Sequence, residues 1–202
     1  MDSLPKDDNR LEKILLCSDA IHKRIDELAS EIKREYDGEK ELCLVGVLKG
    51  ACFFVVDLAR ALSRLGMPGI TIAFVRASTY GFSIKENGEN ERDVMLDLLG
   101  AKIASKNILI MDDILDQGFT LSSIKAQMML DFPHANIKTA VLLSKILDNP
   151  TPEVLVLRKQ FHADFTGFNV RDRWVVGYGM DACEFFRELP YIAIVREECF
   201  LK

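Results

Sequence analysis

Three aspartates stand close together at Asp112, Asp113 and Asp116, followed at once by Gln117, Gly118, Phe119 and Thr120. Carboxylates at this spacing can accept hydrogen bonds from hydroxyls, help hold a hard cation or take up a proton. Gly118 lets the backbone approach a phosphate with no Cβ in the way, and Thr120 adds a hydroxyl. Carboxylates beside an anion site repel the anion unless they face other parts of the same ligand. A sugar phosphate with a free diol satisfies both halves of the pattern. A solvated strand end, with Asp116 as a helix N-cap, is the plainer reading of the same residues.

The elements needed to position these groups can be read on both sides of them. Ile108 to Met111 is a continuous apolar run, as expected of a strand buried on both faces. Leu121, Ile124, Met128 and Leu130 have helical spacing. Strand, acidic pair, tight loop and helix therefore follow in order. In a parallel α/β sheet the ligand sits at the carboxyl ends of the strands, where the N–H groups and dipole of the next helix favour an anion.

A second unit of the same kind lies upstream. Leu42 to Leu48 reads as a buried strand, Lys49-Gly50 as its loop, and Ala51, Phe54, Val55, Leu58, Leu62 and Leu65 as one helical stripe stopped by Gly66. Ile70 to Val75, Ile137 to Leu143, Val154 to Leu157 and Tyr191 to Val195 read as further strands. Ile21, Ile25, Leu28 and Ile32 mark an N-terminal amphipathic helix that Ser18 or Asp19 can cap. Residues 1–10 read as a loose arm, and the polar stretch within 78–100 as a lid or a hairpin. No linker divides the chain, so 1–202 is read as a single α/β domain.

Composition excludes several classes. The 202 residues are 49% hydrophobic and 28% charged, which is incompatible with global disorder. A net charge of −5 gives no nucleic-acid footprint, so an anionic substrate must be met by local cations, metal and backbone. No apolar run is long enough to span a bilayer, and the polar, acidic start reads as neither a secretory signal nor a transit peptide. The five cysteines lack CxxC spacing and read as reduced thiols of a cytoplasmic protein. The three histidines have no zinc-ligand spacing.

The stretch from Ile108 to Thr120 resembles the phosphoribosyl-diphosphate (PRPP) motif of the type I phosphoribosyltransferases. Val47-Leu48-Lys49-Gly50-Ala51 resembles their diphosphate loop, in which the peptide before the lysine can be cis. The long segment from Asp164 to Leu189, containing Arg173-Trp174-Val175-Val176-Gly177-Tyr178-Gly179, resembles the C-terminal signature of the hypoxanthine-guanine enzymes. Together these matches run from about residue 40 to 195.

The resemblance implies a mainly parallel twisted sheet flanked by helices, with a small hood and a flexible lid loop. It implies PRPP and a 6-oxopurine base as substrates and Mg²⁺ as cofactor. Asp112 and Asp113 would hold the ribose, and the loop from Asp116 through Gln117, Gly118 and Phe119 to Thr120 the 5-phosphate. Asp116 would also be the catalytic base. Lys49, Gly50, Thr79, Tyr80 and Arg187 would contact diphosphate. Lys145, Trp174, Val175 and Asp181 would form the purine site, with Asp181 also at the metal and Asp112 and Asp113 as further metal candidates. Thr79 replaces the family's serine in the Ser-Tyr pair, and Gln117 and Phe119 depart from its usual phosphate loop. A homo-oligomer, dimer or tetramer, is implied as well. Two alternatives stay open: a related enzyme that also accepts xanthine, and a non-catalytic nucleotide-binding regulator with the PRPP fold.

Overall fold

The computed structural model describes residues 2–5, 8–84 and 90–200, with the backbone alone over 77–84 and 90–95. The chain runs β1 (Leu11–Leu16), α1 (Ser18–Glu35), β2 (Leu42–Val47), α2 (Cys52–Arg64), β3 (Ile70–Ile84), β4 (Asn90–Asp97), β5 (Asn107–Leu115) and α3 (Phe119–Asp131). It continues through β6 (Asn136–Ile146), α4 (Pro152–Gln160), β7 (Phe165–Arg171), β8 (Val175–Val176) and β9 (Ile192–Val195).

The central sheet has the order β4-β3-β2-β5-β6-β7. All neighbours are parallel except β3 and β4, which pair antiparallel from Arg76 opposite Asp97 to Ile84 opposite Asn90. From β2 the chain crosses through α2 to β3 on one side. It later returns to place β5 on the other side of β2. The order therefore reverses between β2 and β5, and the crevice beyond their carboxyl ends is the topological switch point.

Alternation along the strands makes two cores. Leu44 of β2 and Leu109 and Met111 of β5 face α1 and α2, where Ile25, Leu28, Phe54 and Leu58 pack. Cys43, Val45, Ile108 and Ile110 face the other way, onto Leu121, Ile124 and Met128 of α3. Truncating a fully buried side chain such as Leu109 to alanine should cost about 2–5 kcal/mol. Leu130, read as part of the apolar stripe, is 75% exposed.

A small antiparallel sheet, β1-β9-β8, forms the hood over the carboxyl ends. Its own core contains Leu11, Val176, Phe186, Tyr191 and Val195. Asp2 is tied to the start of α1: its carboxylate accepts from Ser18 N (2.6 Å) and Ser18 Oγ (3.0 Å). This corrects the expectation that Ser18 or Asp19 caps the helix. Both residues lie inside its first turn, where Asp19 still complements the helix dipole, and the side chain that accepts from the helix start is that of Asp2.

A second correction concerns Val154 to Leu157, which are helical. Thr151 is the N-cap of α4, accepting from Val154 N at 3.4 Å, and Pro152 occupies the first turn, where its missing N–H costs nothing. Leu155 and Val156 are exposed, so the apolar run read as a short strand is partly a surface. Thr79 and Tyr80 lie on β3, and their side chains fall outside the described residues. No helix among the described residues is long and apolar enough to cross a membrane.

Candidate active site

A cavity of about 460 Å³ opens at the switch point, within the size range of small-molecule sites. Lys49 and Gly50 reach it from the end of β2, Asp112, Asp113 and the 116–120 loop from the end of β5, and Asp181 and Arg187 from the hood. These sequence-predicted residues, drawn from three distant parts of the chain, are thus brought together.

The loop after β2 is shaped for close approach. The Leu48–Lys49 peptide is cis. A Cβ on Gly50 would lie 1.8 Å from Asp113 Oδ2, so any other residue there requires the loop or that carboxylate to shift. In the loop after β5, Gly118 has φ +97° and caps α3, a left-handed conformation in which a side chain is strained. Gly118, Thr120 and Leu121 at the start of α3 line the cavity, which places it at the N-terminal end of that helix.

Asp112 is buried, and Asp113 is half-buried beside it. Burial first, and then the charge of Asp113, raise the Asp112 pKa well above the usual carboxylate range. Burial also raises Asp113, against hydrogen bonds from Asp112 and from the Ile114 and Asp113 amides and the charge of Arg187. Asp113 N donates to Asp112 Oδ1 at 3.0 Å and Ile114 N to Asp113 Oδ1 at 2.8 Å. The pair is held by its own backbone, leaving further carboxylate lone pairs for ligand hydroxyls.

Asp116 is the more exposed carboxylate, and its Oδ2 lies 2.9 Å from Lys145 Nζ. This contact joins Lys145, which itself lies off the lining of the main cavity, to the 116–120 loop. Trp174 and Val175 lie on the hood, off the lining of the main cavity. The Trp174 ring packs against Phe200, with centroids 5.4 Å apart, and its Nε1 donates to Asp181 O at 3.4 Å.

Arg187 is oriented by Gly179 O, 2.7 Å from Nη1, and by Asp181 Oδ1, 2.7 Å from Nη2. Its Nε is buried with no hydrogen-bond partner among the described residues. An orphaned guanidinium donor beside a cavity suits an anionic ligand.

Three residues escaped the sequence reading. Asp172 lies 3.2 Å from Lys145 Nζ, and Glu184 2.8 Å from Lys49 Nζ. Arg158 of α4 donates to Leu115 O, Asp116 O, Ser144 Oγ and Lys145 O, bridging the ends of β5 and β6. The capping signal Thr151-Pro152 would have revealed the helix that carries Arg158. Nothing local marks Asp172 or Glu184.

Comparison with known proteins agrees with this geometry. Residues 13–182 match the family described as phosphoribosyl transferase domain. The chain is 36% identical to the hypoxanthine-guanine phosphoribosyltransferase of Aquifex aeolicus over 187 residues, covering 92% of this chain and 95% of the relative. It is 32% identical to the enzyme of the same name from Dictyostelium discoideum, covering 94% and 98%. Among solved structures, the hypoxanthine phosphoribosyl transferase of Trypanosoma cruzi superposes with TM-score 0.77 at 30% identity, covering 97% of each chain. A Bacillus anthracis hypoxanthine-guanine phosphoribosyltransferase gives TM-score 0.72 at 32% identity, covering 92% and 99%. Fold, switch-point cavity and relatives converge, and the chain belongs to the phosphoribosyltransferase family, in its hypoxanthine-guanine branch.

Proposed function

We propose that this protein works in purine salvage, transferring the 5-phosphoribosyl group of PRPP to hypoxanthine or guanine to give IMP or GMP and diphosphate. The observation that carries this reading is the meeting of Lys49-Gly50, Asp112 to Thr120, Asp181 and Arg187 around one cavity.

The 5-phosphate sits on the loop from Asp116 to Thr120, at the N-terminus of α3. Asp112 and Asp113 accept hydrogen bonds from the ribose hydroxyls. Lys49, the Gly50 backbone and Arg187 hold the diphosphate, with Thr79 and Tyr80 of the β3–β4 hairpin closing over it. Lys145 donates to the purine 6-oxo group. Adenine presents an amino donor there and would leave the ammonium unpaired. Trp174 stacks on the base, and the backbone of Val175 reads its edge.

In the reaction the bond from C1 of the ribose to diphosphate breaks, and the bond from C1 to purine N9 forms. Positive charge grows on the sugar as diphosphate departs, and the carboxylates at the end of β5 stabilise it. Asp116 takes the proton that the purine ring loses.

Mg²⁺ fits the donor set in one particular way. Among the described residues no cluster of three or more His, Cys, Asp or Glu forms a closed cage. Mg²⁺ characteristically takes one or two carboxylates and completes its shell with water and substrate oxygens. Asp181 would hold it, with Asp112 or Asp113 as second carboxylate, and it would neutralise charge on the diphosphate.

A homo-oligomer, dimer or tetramer, working in the cytoplasm belongs to the same reading. The outer groove of Val56, Ala59, Met67, Ile70 and Ile72 supports the first, and the five free thiols support the second. Incubation with PRPP, MgCl₂ and hypoxanthine should release one diphosphate per IMP formed. Diphosphate release with no nucleotide, or neither product, would overturn the assignment.

A further inference from the structure

The two cations assigned to diphosphate share an internal anion. Glu184 Oε2 lies 2.8 Å from Lys49 Nζ and 3.4 Å from Arg187 Nη2. Lys49 and Glu184 are 135 residues apart in sequence and meet only because the hood folds over the end of β2. One carboxylate oxygen facing an ammonium and a guanidinium offers the same charge-assisted hydrogen bonds as a phosphate oxygen.

We propose that Glu184 is a built-in competitor of the diphosphate group, occupying the cations that the leaving group must engage and so weakening its hold and hastening its departure. This inference rests on the assignment of Lys49 and Arg187 to diphosphate.

Four observations carry it. Arg187 does not need Glu184 for its orientation, because Gly179 O and Asp181 Oδ1 fix it at 2.7 Å each, closer than Glu184. The buried Arg187 Nε has no partner among the described residues, so the contacts to Gly179, Asp181 and Glu184 leave the donor capacity of the guanidinium unfilled. The Lys49 and Glu184 side chains are 64% and 65% exposed, so the glutamate can swing into water at small cost. Finally, the turn is built to hold the glutamate here: Glu184 has φ +69° after Cys183 at φ +52°, and its N–H is fixed by Asp181 Oδ2 at 2.8 Å. Adjacent non-glycine residues in the left-handed region are uncommon and gather at functional sites.

The competing role for Glu184 is to position Lys49 for the ligand. The two roles predict opposite signs. Titration calorimetry of inorganic diphosphate with MgCl₂ should show binding tightened roughly two- to fivefold in Glu184→Gln, the range an exposed ion pair supports. Product inhibition by diphosphate should strengthen by the same factor. In a Lys49→Met background the effect of Glu184→Gln should shrink. Unchanged or weaker diphosphate binding in Glu184→Gln overturns the proposal. Lys49→Met and Arg187→Gln separate the two levels of inference. If both weaken diphosphate binding and Glu184→Gln fails to tighten it, only the competitor role falls. If neither weakens it, the assignment of the cations falls first.

Discussion

Lys145 Nζ lies 2.9 Å from Asp116 Oδ2, tying the cation at the end of β6 to the carboxylate in the loop after β5. Asp172 meets the same ammonium at 3.2 Å. Asp116, Lys145 and Asp172 are therefore one linked unit, and under the proposed function a purine engaging Asp116 and Lys145 would enter at their junction.

Lys145 should set selectivity at the 6-position of the base. Burial pushes its pKa down, but hydrogen bonds to Asp116 and Asp172 outweigh this and raise it above the ordinary 10.5. The raised value means that the ammonium, and its ion pairs, are fully present at lower pH and are lost only as pH rises through the folded pKa. Preference for hypoxanthine over adenine should thus stay flat from about pH 6 to 9. Lys145→Met should reduce that preference by about 10- to 100-fold in kcat/KM, the worth of one charged hydrogen bond. Steady-state kinetics with both bases across this pH range would check both statements.

Asp116→Asn keeps the size of the side chain and removes the proton acceptor. Turnover should fall by about 10²- to 10⁴-fold, the usual contribution of a positioned base. PRPP affinity should change little if, as proposed, the loop backbone binds the phosphate. Calorimetry and turnover on the same preparation would separate the two effects, and turnover like that of the unaltered protein would remove Asp116 from this role.

Arg158 contacts no assigned ligand group, yet its guanidinium bonds to Leu115 O, Asp116 O, Ser144 Oγ and Lys145 O. It fixes the spacing of Asp116 and Lys145. Arg158→Gln should destabilise the fold by about 2–3 kcal/mol and lower kcat more than it raises the KM for PRPP. Arg158→Lys should not rescue kcat, because an ammonium lacks the fork that reaches both strand ends. Urea unfolding and kinetics on the two variants would test this.

Gly50→Ala places a Cβ 1.8 Å from Asp113 Oδ2. Either the loop or the carboxylate must shift, at a stability cost of about 1–3 kcal/mol. Whichever shifts, Lys49 with the loop or Asp113 with its carboxylate, a residue assigned to PRPP moves, so the KM for PRPP should rise at least about tenfold. An unchanged KM would show that the close approach of Gly50 to Asp113 has no part in binding.

Much of the site could be read in the sequence because its signals are local. Ile108 to Thr120 and Leu42 to Cys52 are each a strand, a loop and a helix start in one continuous stretch, and the switch point follows from placing them side by side. What escaped depends on distant pairing. The six residues of β1 alternate too weakly to show as a strand, and their partner β9 lies near the other end of the chain. The helix α4 was hidden by Val154, Leu155 and Val156, whose β-forming and apolar character is overridden by a good N-cap and by exposure of two of them. Glu184 and Asp172 have no local pattern. They matter only through cations that the fold brings to them.

The most direct test is a spectrophotometric assay with PRPP and MgCl₂ in which hypoxanthine, guanine, xanthine, adenine and uracil are offered in parallel. Nucleotide from hypoxanthine or guanine, with none from adenine or uracil, is the expected result. Turnover of xanthine as well would keep the mechanism and revise the pocket around Lys145 and Trp174. No nucleotide from any base, in folded protein that still binds PRPP, would contradict the account.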